Sequence, residues 1–231
     1  MNMKITFLGQ AGLIFRTDGL TIMVDPYLSD SVEKVNPASY RRVPVDKSFF
    51  SVRPDIMIFT HDHLDHFDPE TVSRFISSDS GITVLAPRSV WEKVRRIGGN
   101  NNYVMFNRMT SWTEKGISFT AVRAEHSDPT PIGVVIRDRD GKRYYITGDT
   151  LYNEKIFDDL SITGNTEIYA LFLPINGVGN NMNVVDASRF AKRISAERTV
   201  PIHTGMFDCM TADGFDCDGK TVPKIYQEIV L

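Results

Sequence analysis

The feature that most constrains this chain is the run Thr60-His61-Asp62-His63-Leu64-Asp65-His66, set between a compact apolar stretch and a helix start. His61 and His63 are two residues apart, so on extended backbone their side chains leave from the same face. On a helix the pair would diverge by about 200°, at ~3.6 residues per turn, and could not share an ion. Asp65 and His66 follow as the chain turns, which allows them to face a second ion beside the first. The preceding stretch, Asp55 to Thr60 (DIMIFT), reads as a buried strand. Asp68-Pro69 then supplies an N-cap and a proline at the first helical position, opening a helix of two to three turns.

Three more residues belong with this run. His126 follows the apolar strand ISFTAVRAE, Asp149 follows RYYITG, and His203 follows the short strand TVPI. Gly148 allows close backbone approach next to Asp149. Each therefore sits where a strand ends and a loop begins, a common place for sites held on a rigid scaffold. The five histidines of the chain are 61, 63, 66, 126 and 203, so all are accounted for. A lone histidine such as His126 or His203 is more often a surface or satisfied core residue. Beside an H-x-H-x-D-H run that cannot complete a two-metal shell alone, ligation is the stronger reading. A structural zinc fits poorly, since such sites are closed and cysteine-rich, whereas this set offers nitrogen and oxygen ligands only.

Around the motif the chain alternates between strands and helices. KITFLG, GLIFRT and LTIMVD, broken by Gly9, Gly12 and the turn signal Asp18-Gly19, predict an antiparallel meander. Residues 29–54, with Pro37, Pro44 and Pro54, read as a long irregular loop of the kind that is usually functional. A strand ITVLAP and a helix from Pro87 to Ile97, stopped by Gly98-Gly99, come next. Strands are predicted at 116–124, 132–137 and 143–147, with Asp140-Gly141 turning the last hairpin. Strand 168–173, helix 184–195 with Asn183 as N-cap, and strand 199–202 complete the pattern. Two mixed sheets packed face to face with helices outside, a four-layer αββα arrangement over a single domain 1–231, would satisfy it.

Composition narrows the class. With 231 residues, 42% of them hydrophobic and 24% charged, the chain can bury a sizeable core. A net charge of −3 gives no global field to draw in nucleic acid, and no nucleic-acid partner is expected. MNMKITFLGQAGLIF reads as a strand start and not as a signal peptide, and no stretch approaches the ~20 apolar residues of a membrane span. The expectation is a cytoplasmic protein with no membrane partner. Cys209 and Cys217, eight apart, match no zinc knuckle and read as ordinary reduced cysteines.

The segment resembles the metallo-β-lactamase superfamily signature H-x-H-x-D-H, followed by a later histidine, a bridging aspartate and a last histidine. VDPYLSDS, THDHLDHFDP, TGDT and PIHTGMF further resemble the branch of metal-dependent hydrolases that includes L-ascorbate-6-phosphate lactonase. The resemblance implies the αββα fold, with His61, His63 and His126 on one metal, Asp65, His66 and His203 on the other, and Asp149 bridging. It places Asp25 near the metals, orienting a ligand histidine; a turn aspartate before Pro26 is an equal alternative. Gln10 departs from the pattern, since several relatives carry histidine there. The lactonases are also longer at both ends.

The implied chemistry is hydrolysis by a metal-bridging hydroxide, with Asp65, Asp149 and His66 as catalytic residues and a small phosphorylated or acidic lactone or ester as substrate. No Ser-His or Cys-His nucleophile pattern competes. The histidine-rich shell favours zinc, and the mixed nitrogen and oxygen set also admits manganese. A phosphodiesterase or nuclease of the same superfamily, and a non-catalytic metal-binding protein, are the alternatives. Arg41, Arg42, Lys47 and Arg53 would either bind a phosphate or carboxylate or form a solvated basic face. Asn180, Asn181 and Asn183 would line the site, or Asn183 would only cap its helix. A homo-oligomer is compatible with the family.

Overall fold

Near-continuous apolar runs bury both faces of most strands. In β1 (Lys4–Gly9), Ile5 and Phe7 enter one core while Leu8 enters another. In β10 (Arg143–Ile146), Tyr144 and Ile146 face the first core and Tyr145 a third. A sheet buried on both faces must be covered on both, and a layered architecture follows. The computed structural model describes residues 3–17, 19–76, 80–164 and 167–231.

The first sheet runs β13-β1-β2-β3-β4-β5-β6 and the second β12-β11-β10-β9-β8-β7. In the first, β2 (Gly12–Thr17) and β3 (Leu20–Val24) extend the antiparallel meander from β1. The strands β4 (Ile56–Ile58), β5 (Thr83–Ala86) and β6 (Asn102–Met105) then add in parallel, and β13 (Glu228–Ile229) pairs antiparallel with β1. In the second, β7 (Ser111–Glu114), β8 (Ile117–Arg123), β9 (Ile132–Arg137) and β10 are antiparallel. β11 (Ile168–Pro174) and β12 (Arg198–Ile202) continue parallel to β10.

Between the sheets lies an apolar core in which Phe15 meets Tyr144 and Phe172 edge-on at 6.0 and 5.8 Å. Helices α2 (Pro69–Phe75) and α3 (Arg88–Val94) cover the outer face of the first sheet through Val72, Phe75, Val90 and Val94. Helices α4 (Lys155–Ile162) and α5 (Val184–Ile194) cover the second through Ile156, Leu160, Ala187 and Phe190. The result is the αββα sandwich expected from the sequence. Asp68 caps α2, accepting from the backbone N–H of Glu70 and Thr71, and Asn183 caps α5 in the same way.

Several expectations need correction. The predicted helix 87–97 is α3 followed by a 3₁₀ turn at Arg95–Ile97. The long loop contains a short helix α1 (Ser31–Val35) and a 3₁₀ turn at Lys47–Ser51. The half-exposed β6 and β7, helix α4 and the two-residue β13 were not expected. Asp18 of the predicted Asp18-Gly19 turn lies outside the described residues. Both cysteines are free thiols. Among the described residues no helix is long and apolar enough to cross a membrane.

Candidate metal centre

Parallel strands end on the same side of a sheet, so the loops that leave them meet. His61 follows β4, Asp149 follows β10 and His203 follows β12, while His126 lies beyond β8. At this edge three residues take left-handed backbone angles that side chains rarely adopt: Gln10 (φ 53°), Asp25 (φ 42°) and His203 (φ 66°). Each ends a strand by turning sharply into the site, a local strain of about 1 kcal/mol or more apiece that the surrounding sheets must hold in place. Gly148 (φ 62°) is needed for another reason: a Cβ there would lie 2.8 Å from the Ile132 carbonyl oxygen and 2.9 Å from Thr60 Cβ. That close approach brings Asp149 against the His61 loop.

All seven residues singled out by sequence are brought together. His61, His63 and His126 form one group whose ligand atoms lie within 4.8 Å of one another; Asp65, His66 and His203 form a second, and His61, His66 and Asp149 a third that joins them. Asp149 reaches both sides. Its Oδ1 lies 3.3 Å from His66 Nε2, and its Oδ2 lies 3.1 Å from His203 Nε2 and 3.9 Å from His126 Nε2.

The outer nitrogens of the histidines are engaged away from the cluster. Thr60 Oγ1 donates to Asp25 Oδ2 at 2.5 Å, so it can accept from His61 Nδ1 at 3.1 Å. His66 Nδ1 donates to the same Asp25 oxygen at 2.9 Å, and His126 Nδ1 to the Asn180 carbonyl at 3.2 Å. These contacts leave Nε2 of His61, His66 and His126 as the nitrogen that faces the cluster. His61 Nε2 is buried with no hydrogen-bond partner among the described residues. His63 Nδ1 and His126 Nε2 face each other at 3.0 Å, and His66 Nε2 and His203 Nε2 at 3.3 Å. Two imidazole nitrogens at that range must share either a hydrogen or a metal ion. The donor set therefore fits divalent metal ions.

The electrostatics agree. Burial holds His61 well below the usual histidine range, and burial also lowers His126. Burial opposes charge on His66 and His203 too. However, Asp149 and Asp65 outweigh it, holding His66 well above its ordinary value and His203 up to about 9. Burial likewise disfavours the ionised carboxyls, yet the charges of His66 and His203 keep Asp65 and Asp149 below the usual carboxylate range. Asp25 is thus an anchor, tied to the Thr60 N–H at 2.9 Å, to its hydroxyl and to His66. The alternative of a plain turn aspartate falls away.

Other residues complete the frame. Gln10 Nε2 donates to Asp65 Oδ2 at 2.8 Å and lies 3.0 Å from His203 Nε2; the main-chain carbonyl of Gln10 accepts the backbone N–H of His203 at 2.7 Å. Asn181 Nδ2 donates to Asp149 Oδ2 at 2.8 Å. Asp128 accepts from the backbone N–H of Asp62 at 2.9 Å, tying the His126 loop to the His61–His63 segment. Thr60 and Asp128 were missed in the sequence, although each stands within two residues of a site histidine. The basic residues of the long loop are elsewhere. Arg41 donates to the Tyr27 carbonyl and the Tyr226 hydroxyl, with its side chain 2% exposed, and Arg42 stacks over Tyr40. Arg53 lines a separate cleft beside Arg74.

The comparisons with known proteins agree with this geometry. A family model described as a beta-lactamase superfamily domain matches residues 21–204. The chain belongs to the metallo-β-lactamase superfamily. Within that superfamily it is a member of the UPF0173 metal-dependent hydrolase family. It is 31% identical to a UPF0173 metal-dependent hydrolase of Exiguobacterium over 91% of this chain and 90% of that protein. In fold it is similar to a metallo hydrolase of Ignicoccus hospitalis, with a TM-score of 0.73 and 19% identity over 98% of this chain and 97% of the other. It is similar also to an isothiocyanate hydrolase from Delia radicum gut bacteria, with a TM-score of 0.75 and 18% identity over 99% of each chain.

Proposed function

We propose that this chain hydrolyses a small lactone or ester with two divalent cations held by the clustered side chains. The observation that carries the reading is Asp149, whose two oxygens reach His66 on one side and His203 and His126 on the other. His61, His63 and His126 would hold one ion, Asp65, His66 and His203 the other, with Asp149 shared. The histidine-rich set favours zinc, and its carboxylates also accept manganese. When bound, such ions supply an acidified water, of pKa roughly 7, and a Lewis acid for a developing oxyanion.

The chain's own residues do the rest. Asp25 and Thr60 orient His66 and His61, and Asn181 orients Asp149. Asp65 borders the cavity, where its carboxylate accepts the proton lost by the attacking water, held in place by the Gln10 amide. That proton passes to the leaving oxygen, so water is divided across the cleaved bond: hydroxyl to the acyl carbon, hydrogen to the alcohol. The resemblance to L-ascorbate-6-phosphate lactonase supports the lactone class.

The test is a metal-loaded panel of lactones, aryl esters, bis-aryl phosphodiesters and short RNA. Lactone or ester turnover is expected. Phosphodiester turnover without it would replace this reading with a phosphodiesterase, and turnover of nothing would leave a metal-binding protein. Asp65→Asn is expected to lower kcat by about 100-fold or more while the far-UV circular dichroism is unchanged.

A further inference from the structure

The cavity beside Asp65 and Asp149 holds about 370 Å³, room for a small molecule. Besides the ligand side chains it is lined by Val32 of α1, Ser39, Asn176 and Val178 after β11, and Phe207 and Asp208 after β12. Every Lys and Arg of the chain lies among the described residues, and none lines this cavity. Its charged lining groups beyond the histidines are Asp65, Asp149 and Asp208. The first two belong to the metal centre and would be neutralised by ions bound there. Asp208 would not. Its Oδ1 is fixed by the backbone N–H of Gly205 at 2.9 Å and of Met210 at 3.0 Å, and no ion pair neutralises it among the described residues.

We infer that the cavity selects a substrate whose distal part is uncharged and largely apolar, and that Asp208 is the residue that rejects anions there. This inference rests on the hydrolase reading above and sharpens its substrate class. A phosphate or carboxylate on the part of the substrate away from the metal ligands would meet the Asp208 carboxylate with no lysine or arginine lining the cavity to offset it, and like charges at close range discriminate strongly against a partner. Val32, Val178 and Phe207 offer the complementary apolar contact. The lactone or ester carbonyl sits at the metal end, and the phosphorylated form expected from sequence is the one disfavoured.

The probes are glutarate and glutaramate, which share one carboxylate for the metal end and differ only in the charge of the other. Calorimetry on zinc-loaded protein should show glutaramate binding about tenfold tighter than glutarate. Asp208→Asn should narrow that ratio and Asp208→Lys should invert it. The ratio of kcat/KM for a neutral lactone and its carboxylated analogue should move in the same direction. Equal or tighter binding of glutarate, a ratio unmoved by Asp208→Lys, or binding of neither probe at millimolar concentration overturns the inference. Discrimination between the probes with no hydrolysis of any lactone or ester retires the hydrolase reading and leaves the charge selectivity standing.

Discussion

At the residue scale, the site depends on buried groups that touch no substrate. Asp25 is fully buried and holds the His66 ring, the Thr60 N–H and, through the Thr60 hydroxyl, the His61 ring. Asp25→Ala is expected to weaken metal binding by about 10–100-fold, read by competition with a chromophoric chelator. Unchanged affinity would remove its orienting role. The raised His203 and His66 give a signed pH dependence. Without metal, His203 keeps its proton up to about pH 9, and a protonated imidazole has no lone pair to offer. Metal binding must therefore release protons, and apparent affinity should rise with pH until about 9 and level off above it. Calorimetry in buffers of different ionisation enthalpy counts those protons; an affinity flat below that pH contradicts the assignment. Histidines 61, 63, 66, 126 and 203 were legible in the sequence because period-two spacing and strand ends dictate where they point. The roles of Gln10 and Thr60 were not, because a left-handed turn and a hydroxyl relay depend on partners as many as 193 residues away.

At the element scale, the helix after the motif anchors the ligand turn to the first sheet. Asp68 caps α2 and also accepts from the Thr71 hydroxyl, which in turn accepts from the Leu28 N–H. Asp68→Ala should cost about 1–2 kcal/mol, measured as a shift in the urea midpoint at constant slope. The elements with strong period and punctuation were readable: the meander, α2 with its Asp-Pro start, and α5 with Asn183. The others lacked those signals. β6 and β7 are half-exposed edge strands of four residues with no buried residue, too short to declare a period. α4 has no side-chain cap, and only Ile156, Asp159 and Leu160 mark its buried stripe.

At the scale of the whole molecule, two mixed sheets sandwich one apolar core and carry a second and a third under their helices. Cores of this extent are expected to hold the fold without metal, with metal adding stability by binding the folded state. Chelation should abolish turnover and leave far-UV circular dichroism intact. Reloading at about 100 times Kd should add about 2.7 kcal/mol, roughly 5–10 °C in Tm. The layer order was legible from the sequence because strand–helix units dictate it. The cavity walls were not, since loops 29–54, 175–183 and 204–217 impose no period on their side chains. Whether two ions share Asp149 is decided by titrating metal-free protein with cobalt(II) and counting the equivalents bound. Two per chain are expected for the wild type, with Asp149→Ala losing tight binding of at least one; one equivalent or none for the wild type contradicts a shared pair.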